Sequence, residues 1–212
     1  AMKIDAVVMR HPSPGSSVHL TKYIKSIVIN AGDGAHEHPT QAILDMMSLK
    51  EKFGKIRGLK IGIIGDIAHS RVARSNIYGL IKMGAEVMVC GSPTLIPIEI
   101  ISLGVKVSYN LDEVLDWADA INVLRIQLER MNRGLFPSVR EYRKLFGITD
   151  ERLQKHNKEI VVLHPGPMNR GVEIDSSVAD SKSAIILDQV LNGVASRMAI
   201  LYLFLGGSHN ES

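Results

Sequence analysis

Cysteine is nearly absent: Cys90 is the only one in 212 residues, so no internal disulfide can form and a cytoplasmic setting fits. Aromatic residues are also scarce, at 5%. No run of Lys and Arg is interleaved with aromatics, which leaves nucleic-acid binding without its usual footprint. No apolar run is long enough to span a bilayer, and the N-terminus shows no basic stretch followed by an apolar core. A Gly-x-Ser-x-Gly elbow is missing, and with it one common route to a nucleophilic serine. His36 and His38 are two apart, a spacing that suits neither a helix face nor the usual zinc sites. Gly62-x-x-Gly65-Asp66 is only part of a dinucleotide fingerprint, and the full Gly-x-Gly-x-x-Gly is absent, which argues against a nicotinamide cofactor. Neither a metal nor any other cofactor is expected.

What remains is an ordinary globular composition, 45% hydrophobic and 22% charged with a formal charge of +3. The hydrophobic pattern predicts strands at Ile4–Met9 and Ser26–Asn30, with a helix at Gly15–Ile24 between them. A longer helix is expected over Pro39–Phe53, ending where Gly54 and Gly58 break the pattern. From Ile56 onward strands and helices alternate. Strands are read at Leu59–Ile64, Glu86–Cys90, Val105–Ser108, Asp119–Leu124 and Ile160–Leu163. Helices are read at Arg71–Met83, Pro97–Leu103, Leu111–Trp117 and Ser183–Phe204. Strands that are apolar on both faces and alternate with helices imply an α/β fold with a doubly wound parallel sheet. The last helix is apolar on more than one face, and the region before Ile56 has too few strands for a layer of its own. One complete domain plus the remnant of a second is expected.

Doubly wound sheets bind ligands beyond the carboxyl ends of their strands. Polar clusters fall at those ends: Arg10-His11-Pro12, Gly65-Asp66 running to Ser70-Arg71, Arg125-Ile126-Gln127 with Glu129-Arg130, and His164-Pro165-Gly166-Pro167. To these is added His38-Pro39-Thr40-Gln41 at a helix start. Pro39 suits the first helical turn, where its missing N–H costs nothing, and a helix start offers free N–H groups to an anion. Arginine contributes planar, bidentate contacts to carboxylate or phosphate. Taken singly, an Arg after a strand is more often a surface residue, His38 is equally an ordinary cap, and His69 and His164 read as loop bridges. Taken together, they suit a small ligand with several anionic groups, acted on by positioning and electrostatics rather than by a covalent intermediate. Cys90 is read as a buried structural residue.

These motifs, in this order, resemble the aspartate/ornithine carbamoyltransferase family over about Ile4 to Leu205. The resemblance implies transfer of a carbamoyl group from carbamoyl phosphate to an amine, an early step of pyrimidine synthesis when the acceptor is aspartate. It implies that Arg10, His38 and Gln41 contact carbamoyl phosphate, with His38 and Arg10 as the catalytic pair and His38 polarising the carbamoyl carbonyl. Arg71, Arg125 and Gln127 become clamps for the acceptor carboxylates, and Pro165 and Gly166 offer backbone carbonyls to the reacting nitrogens. The Arg125-x-Gln127 and Pro167-x-Asn169-Arg170-Gly171 patterns favour aspartate, because ornithine enzymes carry a His-Cys-Leu-Pro turn instead.

The resemblance also sets expected boundaries. Residues 1–37 are a remnant of the carbamoyl phosphate domain, 38–56 an interdomain helix, 57–182 the aspartate domain, 183–205 a returning helix and 206–212 a tail. Family members carry a longer N-terminal part, with a phosphate motif and a Ser- and Lys-bearing loop that reaches in from a neighbouring subunit. Neither is in this sequence, so the chain by itself is expected to turn over little. A homotrimer is implied, with regulatory chains or a dihydroorotase as further partners. A non-catalytic binding or scaffold module on the same fold is the alternative.

Overall fold

A computed structural model describes residues 3–127 and 138–206. Two strands, β1 (Ala6–His11) and β2 (Ile27–Asp33), pair in parallel across a short helix α1 (Ser16–Leu20). Helix α2 (Pro39–Phe53) then leads into a second sheet of β3 (Lys60–Ile64), β4 (Glu86–Cys90), β5 (Lys106–Ser108), β6 (Ala120–Val123) and β7 (Val161–Leu163). Its order is β5-β4-β3-β6-β7 and every pairing is parallel, so the chain winds outward one way from β3 and then back past it. The expected doubly wound sheet is therefore present. The reversal of strand order lies between β3 and β6, where such sheets open a crevice at their carboxyl ends.

The period of two along a strand builds the core on both faces. Ile61 and Ile63 of β3 face one layer with Ile77 and Leu80 of α3 (Arg71–Lys82). Ile64 faces the other layer with Val114 and Leu115 of α4 (Leu111–Trp117) and Tyr142 and Phe146 of α5 (Val139–Phe146). Cys90 is fully buried here, and burial pushes its thiol up to about 12, so it has no thiolate character at neutral pH.

Several element boundaries differ from the sequence reading. Helix α1 is limited to Ser16–Leu20, and β2 runs on to Asp33 through its pairing with His11. Ile98–Leu103 forms a 3-10 helix, starting one residue later than the helix read there. Helices α5, α6 (Asp150–Gln154) and α7 (Ser176–Ala179) were not anticipated. The last helix, α8, spans Ile186–Leu205 and starts later than Ser183. Ser183 and Ile185 are instead bonded to Val162, extending the edge of the sheet beside β7. Helix α8 packs on α2, where the Asn192 amide donates to Ser48 Oγ at 3.0 Å and Glu51 Oε2 at 2.6 Å. Its other side leaves Leu187, Val190, Leu191, Met198 and Leu203 exposed. Among the described residues no helix is long and apolar enough to cross a membrane.

Candidate active site

The loops after β3, β6 and β7 meet the end of β1 and the start of α2 around one cavity of about 330 Å³. Its lining includes Arg10, His38, Gln41, Arg71, Arg125, Gln127, Pro165 and Gly166, so every expected site residue is brought to one place. It also takes in Asp66, His69, Ser70 and Arg197. Arg197 was missed by the sequence reading because it sits mid-helix in α8, far from any motif. Glu129 and Arg130 lie outside the described residues. Among the described residues no group of three or more His, Cys, Asp or Glu is placed to hold a metal ion.

Each side chain is fixed by local structure. His38 is the N-cap of α2 with Pro39 at the first helical position, and its backbone N–H donates to Ser75 Oγ of α3 at 2.8 Å. That bond ties two helix starts together at the cavity. Gln41 comes three residues later on the same face and is buried. Its Nε2 donates to Asp45 Oδ1 at 3.0 Å. Asp45 is buried and also accepts from Gln189 at 2.7 Å, Asn76 at 2.7 Å and Asn122 at 3.2 Å. Burial pushes its carboxyl upward while those amides pull the other way.

Arg71 opens α3, whose Ser70 cap accepts the Ala73 N–H at 3.1 Å. Its side chain runs against Gly32 at the end of β2, where an added Cβ would stand 2.8 Å from the guanidinium and φ is +118°. Only glycine fits that approach, so the small sheet's loop can reach the large sheet's arginine. Asp66 accepts from the His69 backbone at 3.1 Å and lies 2.8 Å from its ring, closing the turn before α3.

On the far wall, Arg125 and Gln127 follow the end of β6 and are half-buried. Arg125 Nε is buried with no hydrogen-bond partner among the described residues. His164 Nδ1 accepts the Gly166 N–H at 2.9 Å, so its proton is on Nε2 and points to Glu173 Oε1 at 3.3 Å. The imidazole thereby folds the Pro165–Gly166 turn from behind. His164 thus ties the Pro165–Gly166 turn to Glu173, whereas His69 pairs with Asp66 inside its own turn.

The electrostatics favour an anion. Burial, then the charges of Arg10, Arg197 and Arg71, push His38 down to about 4. The ring is thus neutral at physiological pH, able to donate one hydrogen bond without carrying a charge. Its Nδ1 is buried and without a hydrogen-bond partner among the described residues. A neutral imidazole among guanidinium groups suits the polarisation of a carbonyl on an anionic molecule.

Fold and cavity together define a doubly wound α/β protein with an arginine-rich anion site at its strand-order reversal. The family models for aspartate/ornithine carbamoyltransferase match it, the Asp/Orn binding domain over residues 57–204 and the carbamoyl-P binding domain over residues 1–51. The chain belongs to the aspartate/ornithine carbamoyltransferase family. It is 57% identical over 207 residues to an aspartate carbamoyltransferase catalytic subunit of Gemmatimonas aurantiaca, covering 98% of this chain and 65% of that one. It is 60% identical over 203 residues to that of Christiangramia forsetii, covering 96% and 66%. The chain thus spans a little under two thirds of the length of these relatives. Among solved structures it is similar to Trypanosoma cruzi aspartate transcarbamoylase with phosphate, at 30% identity and TM-score 0.81 over 93% of this chain and 66% of that one. The complex of that enzyme with N-(phosphonacetyl)-L-aspartic acid matches at 29% identity and TM-score 0.80, over 93% and 65%.

Proposed function

We propose that this chain carries the aspartate-binding and part of the carbamoyl phosphate-binding machinery of an aspartate carbamoyltransferase. The reaction joins the carbamoyl group of carbamoyl phosphate to the amine of L-aspartate, giving N-carbamoyl-L-aspartate and phosphate. The observation that supports it is the convergence of Arg10, His38, Gln41, Arg71, Arg125, Gln127, Pro165 and Gly166 on one cavity. Arg10 and Gln41 hold carbamoyl phosphate. His38 donates to the carbamoyl oxygen as negative charge builds there in the tetrahedral intermediate. Arg71, Arg125 and Gln127 receive the aspartate carboxylates and leave the amine facing the carbamoyl carbon. Carbonyls of Pro165 and Gly166 accept from the nitrogens. The amine attacks first to form the C–N bond, and collapse of the tetrahedral intermediate then breaks the C–O bond, the amine's proton leaving on the departing phosphate. Cytoplasmic location and assembly as a homotrimer, both implied by the family resemblance, belong to the same proposal.

Aspartate rather than ornithine is the acceptor because Arg71 and Arg125 present positive charge where ornithine would place its own cation. Calorimetric titration with N-(phosphonacetyl)-L-aspartate and N-(phosphonacetyl)-L-ornithine tests this. Saturable binding of the first at one per chain, at least about tenfold tighter than the second, is expected from like-charge repulsion. Equal affinities, or a preference for the ornithine compound, would overturn it.

A further inference from the structure

The β6 ladder ends at Val123, and Leu124 makes one more backbone bond, to Ile64. Arg125 and Gln127 therefore sit on irregular chain, and their placement needs another tether. Ile126, between them, is buried, and its carbonyl accepts from Asn169 Nδ2 at 2.8 Å. The other hydrogen of that amide goes to Glu173 Oε2 at 3.1 Å. Glu173 is fully buried and also takes the Asn169 backbone N–H on Oε1 at 2.6 Å. The same Oε1 faces the His164 ring, which folds the Pro165–Gly166 turn. A carboxylate only accepts, so Glu173 dictates that Asn169 turns its NH2, not its oxygen, toward Ile126.

We propose that Asn169, oriented by Glu173, is a positioning residue that sets the gap between the Arg125–Gln127 segment and the Pro165–Gly166 turn. Through that gap it controls affinity for the dicarboxylate half of the ligand and leaves the phosphate half unchanged. The inference rests on the assignment of Arg125 and Gln127 to the aspartate carboxylates. Loss of one or two charge-assisted contacts weakens binding by about tenfold to a hundredfold, so one lost amide contact is enough to be measured.

The geometry offers a swap that separates positioning from folding. In the Asn169→Asp, Glu173→Gln double variant, the new Gln amide donates to the new Asp carboxylate while Gln Oε1 still accepts the backbone N–H and the His164 ring. Pairing between 169 and 173 is restored, but Ile126 now faces an oxygen instead of a donor. The full chain is titrated with N-(phosphonacetyl)-L-aspartate and, separately, with inorganic phosphate, and its thermal midpoint is recorded. Asn169→Ser serves as the variant that only shortens the side chain. Both variants are expected to bind the phosphonate dicarboxylate about tenfold to a hundredfold more weakly, with phosphate affinity unchanged and cooperative thermal unfolding retained in the swap. Recovery of dicarboxylate binding in the swap, an unaltered Asn169→Ser, or an equal loss of phosphate affinity would each overturn the positioning role. A failure of the functional reading shows earlier, as absence of dicarboxylate binding in the unmutated chain.

Discussion

Gln41, which lines the cavity, and Asp45, one turn further along α2, are both buried and are joined by a 3.0 Å hydrogen bond. The bond aims the Gln41 amide and makes it part of a larger tie. The same Asp45 oxygen accepts from Gln189 of α8, and Gln189 Oε1 accepts the His164 N–H at 2.9 Å. One carboxylate therefore links α2, α3, β6 and α8 and, through Gln189, the turn on the opposite wall.

Asp45→Ala leaves those amides buried without an acceptor, which costs the full desolvation of several donors. A loss of at least about 3 kcal/mol in urea unfolding is expected. Asp45→Asn keeps an acceptor for Gln41 and Gln189 but sets its own NH2 against Asn76 and Asn122, and a smaller loss of about 1–3 kcal/mol is expected. Equal stability of Asp45→Ala and the parent chain would contradict the tie.

Arg125→Ala removes a half-buried guanidinium with an unsatisfied Nε from the proposed carboxylate clamp. Charge-assisted bonds of this kind contribute about 1.5–3 kcal/mol. Calorimetry should show N-(phosphonacetyl)-L-aspartate bound at least about tenfold more weakly, with the thermal midpoint little changed. Unchanged affinity would count against the role given to Arg125.

His38 should titrate at about 4 instead of near 6.5. Its folded value lies below its unfolded one, so the folded state binds fewer protons between those two values. The ring then leaves stability untouched above about pH 6.5 and lowers it progressively as pH falls toward 4. Proton NMR of the ring, assigned with His38→Asn, measures this directly. Arg10→Gln should move the midpoint upward, because it removes one of the repelling charges. A midpoint near 6.5 in the parent chain would contradict the buried, cation-flanked setting.

Gly91→Ala would place a methyl 2.4 Å from the Gly65 carbonyl oxygen, a backbone atom that cannot swing aside. Gly65 starts the loop that carries Asp66 and His69 and leads into Arg71 of α3. Overpacking at such a point costs about 1–3 kcal/mol, and binding at the cavity should weaken with it. Denaturant midpoints and the same titration report both effects.

The parallel sheet was legible because Ile61 to Ile64, Val87 to Cys90 and Val161 to Leu163 are apolar on both faces, as strands covered by helices must be. The grouping of the candidate site was legible because the fold rule places ligands at strand ends: Arg10 lies at the end of β1, Arg125 and Pro165 come just after β6 and β7, and Arg71 opens the helix that follows β3. Helix α5 was overlooked although Ser138-x-x-Glu141 is a capping-box pattern, and the Ser138 Oγ does accept the Glu141 N–H at 3.1 Å. Its polar face outweighs its few apolar residues in a hydrophobicity reading, since only Tyr142 and Phe146 are buried. Arg197 and the Asp45 network were out of reach for a different reason. Gln41, Asn76, Asn122 and Gln189 converge on Asp45 across as many as 144 positions, and such contacts leave no local periodicity. The late start of α8 has the same origin, because pairing of Ser183 and Ile185 with Val162 overrides local helix preference.

The crystal structure of this chain bound to N-(phosphonacetyl)-L-aspartate tests the central claim most directly. The account places the phosphonate beside Arg10 and Gln41, the amide carbonyl within hydrogen-bond distance of the His38 ring, and the carboxylates on Arg71, Arg125 and Gln127. A ligand seated elsewhere, or one whose carboxylates lie away from Arg71 and Arg125, would contradict it.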